Sequence, residues 1–271
     1  MKLSRILLYG ALCVTSLLFL FPVYVLLTTS FKTPAEFATG LWALPSSFNL
    51  DGYKQALQSG MGQGILNSLK MTVPAALISS VLSSLTGYVL SKYKKAWTSA
   101  VLGFIVLGMF IPYQVVLIPL VQFMSRVRLY NTHAGLILTH VAYGLPICTL
   151  IFTNHYATIP EDLLEVARID GCGVWKIYTR IMLPLSISAF VVTLIWQFTS
   201  VWNDFLFGLT LSQGPAVRPA TVTLAGLKGT FTANWNVQMA GAILTALPTL
   251  IIYLFLGKYF VRGILSGSIK G

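Results

Sequence analysis

Long stretches without a single Lys, Arg, Asp or Glu punctuate the chain and set its organisation. The first runs from Ile6 to Ser30. Five more follow, at approximately Met71–Ser91, Trp97–Phe123, Thr132–Tyr156, Leu185–Asn203 and Val237–Gly257. Each is close to the roughly 20 residues an α-helix needs to cross a bilayer. The runs are continuous, not alternating, and a hydrocarbon core admits only helices or closed barrels, so the pattern predicts helices. Six membrane-spanning helices are expected.

Composition agrees. The 271 residues are 56% hydrophobic and 9% charged, against about 25% charged in a soluble domain. So few charges cannot solvate a globular surface, and lipid must cover much of it. Lys2 and Arg5 ahead of the first run resemble a secretory signal. The run exceeds the roughly 7–15 apolar residues of a signal, however, and no Ala-x-Ala site follows, so a retained helix is expected.

The formal net charge is +11. In a soluble protein this would point to nucleic acid, but here the basic residues sit between apolar spans, where they orient the chain. A cytoplasmic N-terminus places 11 of the 18 inside, including Lys92, Lys94 and Lys95 in one short loop; Arg126 and Arg128 pull the other way. Both termini are therefore expected in the cytoplasm. Cys13, Cys148 and Cys172 are too scattered for a disulfide framework or zinc site. His133, His140 and His155 show no ligand partners, and no metal is expected.

The connections differ in kind. Phe31 to Gly64 is rich in turn formers, and Gln213 to Asn236 carries exposed-looking Phe231 and Trp235. Ile159 to Pro184 has helical periodicity, yet holds four of the seven acidic residues. Thr158 suits an N-cap, Pro160 a first turn, and Glu161 and Asp162 the positive end of a helix dipole. Leu163, Val166 and Ala167 share one face by spacing. Gly171 falls where a helix ends in a left-handed residue. A second helix is expected over Val174–Met182, with Val174, Ile177 and Ile181 on one face and Pro184 marking re-entry into the membrane. A pair lying on lipid headgroups would be rich in Lys and Arg. This acidic one suits a basic protein surface better.

Glu165-Val166-Ala167-x-x-x-Gly171, then nine residues, then Ile181-x-Leu183-Pro184 resembles the coupling-loop motif of bacterial ABC importer permeases, with Val166 in place of the motif's first alanine. Further features resemble the second permease of the maltose-type sugar branch. They are Asn67-Ser68-Leu69, Ile111-Pro112, Ile118-Pro119-Leu120, Asp170-Gly171, Trp202-Asn203-Asp204-Phe205 and the tail from Gly263 to Gly271. The resemblance covers nearly the whole chain. It implies an all-α polytopic protein: a first helix over 1–30, an extracytoplasmic segment over 31–63, a transmembrane domain over 64–257 with coupling loop 159–184, and a cytoplasmic tail over 258–271. It also implies a division of labour in a prokaryotic cytoplasmic membrane. Two permeases form the pathway, two ATPase subunits bind ATP and Mg, and an extracytoplasmic binding protein delivers a sugar. This chain has no Gly-x-x-x-x-Gly-Lys-Ser/Thr phosphate loop.

On that resemblance Glu165 holds a basic group of the ATPase, Gly171 makes the turn between the docking helices, and Ala167 and Asp170 belong to the same contact. Gly267 and Lys270 are candidate tail contacts with the ATPase, the alternative being a frayed end. Trp202, Asn203 and Asp204 suit either a sugar site or an aromatic interface belt. Trp196, Ser200 and Asn203 share a helix face, giving a candidate substrate pathway of Trp196, Ser200, Trp202 and Asn203. An ion-coupled secondary transporter is the competing reading, but it usually needs ionisable groups within the spans, and these spans have essentially none, Asp204 lying at an end. A membrane-embedded enzyme would need a nucleophile, acid–base pair or metal cluster there.

Overall fold

The computed structural model describes residues 2–40, 42–93, 95–227 and 234–268, and every regular element among them is a helix. α1 (Lys2–Ser30) is followed by two short helices, α2 (Pro34–Thr39) and α3 (Asp51–Gln58), and then by the long α4 (Met61–Lys92). α4 starts well before its charge-free run because Lys70 lies on an exposed side.

The third run does not form one helix. α5 (Ala96–Leu107) passes through a 3₁₀ turn at Gly108–Phe110 and meets α6 (Tyr113–Arg126) at 98°. Pro112 causes the break. It disfavours helical geometry in the residue before it, and Ile111 is extended at φ −78°, ψ 114°. α7 (His133–Ala157) is continuous. The loop that follows holds α8 (Asp162–Ile169), α9 (Val174–Ile177), a π-helical turn at Tyr178–Met182 and α10 (Leu183–Leu185). The stretch Val174–Leu185 joins α11 (Ile187–Trp202) at 74°. α12 (Leu206–Leu211), α13 (Ala220–Gly226) and α14 (Trp235–Ser268) complete the chain. Among the described residues four helices are long and apolar enough to cross a membrane, and six crossings result if each bent pair counts as one. α14 runs helically past Gly257 and takes in Gly267; Lys270, like Phe231, lies outside the described residues.

The core is built on α4 against α7. Ser79, Ser80, Ser83 and Ser84 are all buried on α4, and a Cβ on Gly87 would stand 2.7 Å from that of Phe152. Small side chains let the two backbones approach closely, which is how helices gain contact where lipid gives no hydrophobic drive. α1 packs on α14 and leaves Ile6 through Val23 largely exposed, a surface suited to lipid tails.

The connections at the far end from the termini are tied down by side chains. Asn67 Nδ2 donates to the carbonyls of Pro215 and Arg218 at 2.9 and 3.0 Å, and Ser68 Oγ accepts the Ala220 N–H at 2.9 Å. Thr33 and Glu36 form a reciprocal capping box on α2. Glu36 also accepts the Ser46 hydroxyl and, at 2.9 Å, the Ser46 N–H. The Ser46 hydroxyl, then the Thr33 and Ser46 backbone donors, pull its carboxyl from the ordinary 4.5 to about 2. Trp235 is half-buried and stacks on Phe37, with ring centroids 6.0 Å apart.

Candidate functional site: a helix pair and a cavity

α8 begins later than the sequence suggests. Thr158 closes α7, its hydroxyl donating to the His155 carbonyl at 2.8 Å, and Pro160 precedes the helix. Glu161 takes the N-cap position, its carbonyl accepting the Leu164 and Glu165 N–H groups at 2.8 and 3.0 Å. A proline at 160 resists helical geometry at Ile159, so the break falls there.

The face expected of Leu163, Val166 and Ala167 is split. Leu164 and Ala167 are buried against Tyr88, Ile177, Tyr178 and Met182. Leu163, Val166 and Ile169 are exposed, Ile169 at 85%. Sequence spacing alone could not say which of two adjacent apolar stripes faced the core. Val166 therefore adds bulk to an exposed strip, not to the packing contact. Glu165 and Asp170 are exposed beside it.

Gly171 ends α8 as its pattern predicts. Its φ is +76°, its N–H reaches the Arg168 carbonyl at 3.0 Å, and the Cys172 N–H reaches the Ala167 carbonyl at 2.9 Å. This pair of bonds is a Schellman cap, whose left-handed position suits glycine. Nothing lies within 4 Å of where a Cβ would stand, so backbone conformation alone sets the requirement.

The second helix of the pair is irregular. It is α-helical only over Val174–Ile177 before widening into the π turn, and Pro184 lies inside the helical stretch instead of ending it. Ile177 is buried, whereas Val174 and Trp175 are exposed. The π turn places Tyr178 in a buried knot. Ser84 Oγ lies 2.6 Å from Tyr156 Oη and 2.9 Å from Tyr178 Oη, and Tyr156 donates to Ser186 Oγ at 3.1 Å. The Tyr88 ring packs on Tyr178 at 5.6 Å, and Lys92 Nζ donates to the Ile159 carbonyl at 2.6 Å. These bonds join the helix pair to α4, α7 and the foot of α11. Sequence reasoning missed the knot; hydroxyls within apolar spans were its only trace.

At the other end of α11 is a cavity of about 410 Å³. Trp196, Ser200 and Asn203 line it, as their shared helix face predicts. Trp202 does not. It is 1% exposed, stacks on Phe198 and donates its indole N–H to the Thr245 carbonyl at 3.0 Å. It therefore points to the opposite side of α11 and serves packing against α14. The bend before α6 brings Tyr113 to the cavity, and α7 contributes His140 and Tyr143. Asp204, which the sequence leaves at a span end, has 13% side-chain exposure and lies 3.8 Å from His140 Nε2. Its Oδ2 accepts the Gly208 N–H at 3.0 Å. His140 Nε2 is buried with no hydrogen-bond partner among the described residues.

The chain is similar to several known proteins. A probable ABC transporter permease of Pyrococcus horikoshii is 56% identical over 186 residues, 68% of each chain. A xylose/arabinose import permease of Haloferax volcanii is 35% identical over 91% of this chain and 87% of its own. A melibiose/raffinose/stachyose import permease of Bacillus subtilis is 31% identical, covering 92% and 91%. A chain in the crystal structure of a bacterial ABC transporter that imports alginate shares the fold, with a TM-score of 0.84 over 96% of this chain and 97% of that one at 19% identity. Residues 79–266, which span the α4–α7 core, the helix pair and the cavity, match the inner-membrane components of binding-protein-dependent transport systems, and this chain belongs to that family of ABC importer permeases.

Proposed function

We propose that the chain is the permease through which an ABC importer moves a sugar, and that loop 159–184 docks on the ATPase subunits that drive it. The observation that carries this is the exposed α8 surface. Glu165 and Asp170 stand beside a strip of Leu163, Val166 and Ile169, on a helix whose other side is packed against α4, α7 and the π turn. Exposed apolar residues rimmed by charge mark an interaction site. The acidic groups suit a basic partner surface, with Glu165 taking a cation and Gly171 fixing the angle between the helices. The xylose/arabinose and melibiose/raffinose/stachyose permeases among its relatives support a saccharide as the solute.

In this reading a second permease completes the pathway, ATP and Mg are bound by the ATPase subunits, and an extracytoplasmic binding protein delivers the sugar. Both termini and loop 159–184 face the cytoplasm. Gly267, in the last turn of α14, is a candidate contact of the tail with the ATPase.

Vesicle uptake separates this from an ion-coupled carrier. The full assembly should lose uptake without ATP and keep it when ion gradients are collapsed. Gradient-driven uptake by this chain alone would overturn the proposal. Orientation is read from Cys172 in a variant lacking Cys13 and Cys148. An impermeant thiol reagent should miss it in intact cells and label it in inside-out vesicles, less so with the ATPase bound. Labelling from outside would remove the coupling role.

A further inference from the structure

The cavity lies at the end of α11 away from the helix pair, and it has the make-up of a binding site. Its volume of about 410 Å³ lies in the range of small-ligand pockets, and such pockets combine apolar walls with a few placed polar groups. Trp196 lies on its wall, 49% exposed and with no ring stacked on it among the described residues. Ser200 and Asn203 follow one and two helical turns later on the same face of α11. A flat ring beside hydroxyl and amide groups matches a sugar, whose ring has an apolar C–H face and a polar rim.

Two further side chains set the chemistry. The Asp204 carboxylate is fixed by backbone N–H groups of Gly208, Phe207 and Leu206, so it needs no cationic partner to hold its position. Across from it His140 Nε2, on a side chain 6% exposed, has no hydrogen-bond partner among the described residues. Their separation of 3.8 Å is too long for a hydrogen bond. A buried polar atom without a partner calls for an explanation. A hydroxyl group seated beside both satisfies the two together, donating to the carboxylate and bonding the imidazole. Among the described residues no Lys or Arg lines the cavity, and Asp204 is its one acid. A sugar acid would bring a second carboxyl group beside Asp204 with no Lys or Arg to pair with it, and two carboxyl groups sharing a site disfavour each other's charged form.

We propose that this chain itself binds the solute in transit, and that its cavity takes an uncharged sugar unit, stacked on Trp196 and held by Asn203, Ser200 and the Asp204–His140 pair. This rests on the reading of the chain as a sugar permease, and it goes further in two respects: this subunit touches the sugar, and the sugar carries no carboxylate. The likeness to the alginate importer, whose solute is acidic, is one of fold.

The test uses the full assembly in vesicles with its binding protein, offered radiolabelled neutral oligosaccharides (melibiose, raffinose) and oligogalacturonate. Neutral sugars are expected to enter and oligogalacturonate to be refused. Trp196→Ala and Asn203→Ala should each slow uptake about tenfold or more, the usual effect of truncating a residue that a bound partner covers. Trp196→Phe should restore most of the rate, which separates stacking from a general packing defect. Co-purification with the ATPase checks assembly, and Asn203→Ala decides the matter if Trp196→Ala fails to assemble. Uptake of oligogalacturonate in place of neutral sugars would overturn the uncharged class and leave the sugar permease standing. Neutral uptake at wild-type rates in both alanine variants would overturn direct contact by this chain. Uptake of no saccharide at all would end the sugar reading, and this inference with it.

Discussion

The two ends of α11 handle buried polarity in opposite ways. At its foot the hydroxyls of Ser84, Tyr156, Tyr178 and Ser186 bond one another at 2.6–3.1 Å, with the Tyr88 ring packed over them. At its far end His140 Nε2 has no partner and faces Asp204 at 3.8 Å. On the proposed docking role, the knot would pass a displacement from α8 to α4, α7 and α11, and a satisfied buried network is rigid enough to do so. On the proposed solute site, the cavity needs polar groups still available when the solute arrives. The same kinds of residue, set in the same kind of apolar span, do either task according to whether their neighbours satisfy them.

The largest effect is expected at the docking end. Glu165→Ala should abolish most uptake while the permease still inserts, since truncating one partner of a desolvated interfacial charge pair costs about 2–5 kcal/mol. Uptake and ATPase co-purification measure it. Wild-type values in both would leave the α8 surface without a coupling role, and the contrast between the two ends would lose its functional meaning.

Next comes Gly171→Val. With φ at +76° and open space around the position, the cost is conformational, about 1–2 kcal/mol before the branching at Cβ is counted. Uptake should fall, and Gly171→Asn should fall less because asparagine tolerates the left-handed region. Equal rates in both variants would show that the angle between the helices does not matter.

A smaller and more discriminating effect is expected from removing one hydroxyl at each end. Tyr178→Phe takes a bonded oxygen from the knot and should lower thermal stability by about 1 kcal/mol. It should also raise the ATP hydrolysed per solute moved. Tyr143→Phe removes a hydroxyl at the cavity and should change uptake with little effect on stability. Matching stability losses would contradict the distinction between satisfied and available groups.

The smallest effect lies outside both ends, at Glu36. Its carboxyl is held down near 2, so its contribution is complete above the ordinary carboxylate value of 4.5 and vanishes as pH falls through about 2. The protection factor of the Ser46 amide, whose N–H it accepts, taken against intrinsic exchange at each pH, should fall over that window, and Glu36→Gln should remove that fall. A protection factor that ignores pH there would show that the bonds, not the charge, hold the 31–60 segment.

The sequence by itself determined the all-helical membrane architecture, the short amphipathic helix between α7 and α11, and the turn at Gly171. Each follows from local chemistry: charge-free runs of bilayer length, an acidic amphipathic stretch, and a glycine placed where a helix ends. It also placed Trp196, Ser200 and Asn203 on one face, since helical spacing alone decides that. Only the tertiary structure decided which stripe of α8 faces inward, because Leu163–Val166 and Leu164–Ala167 are both apolar and only the Tyr88–Met182 cluster selects between them. It alone turned Trp202 into the α14 contact, folded the third run at Pro112, and brought Ser84 to Tyr178 and His140 to Asp204 across 94 and 64 residues. Such pairings rest on how helices distant in sequence pack side by side, and no local pattern encodes that.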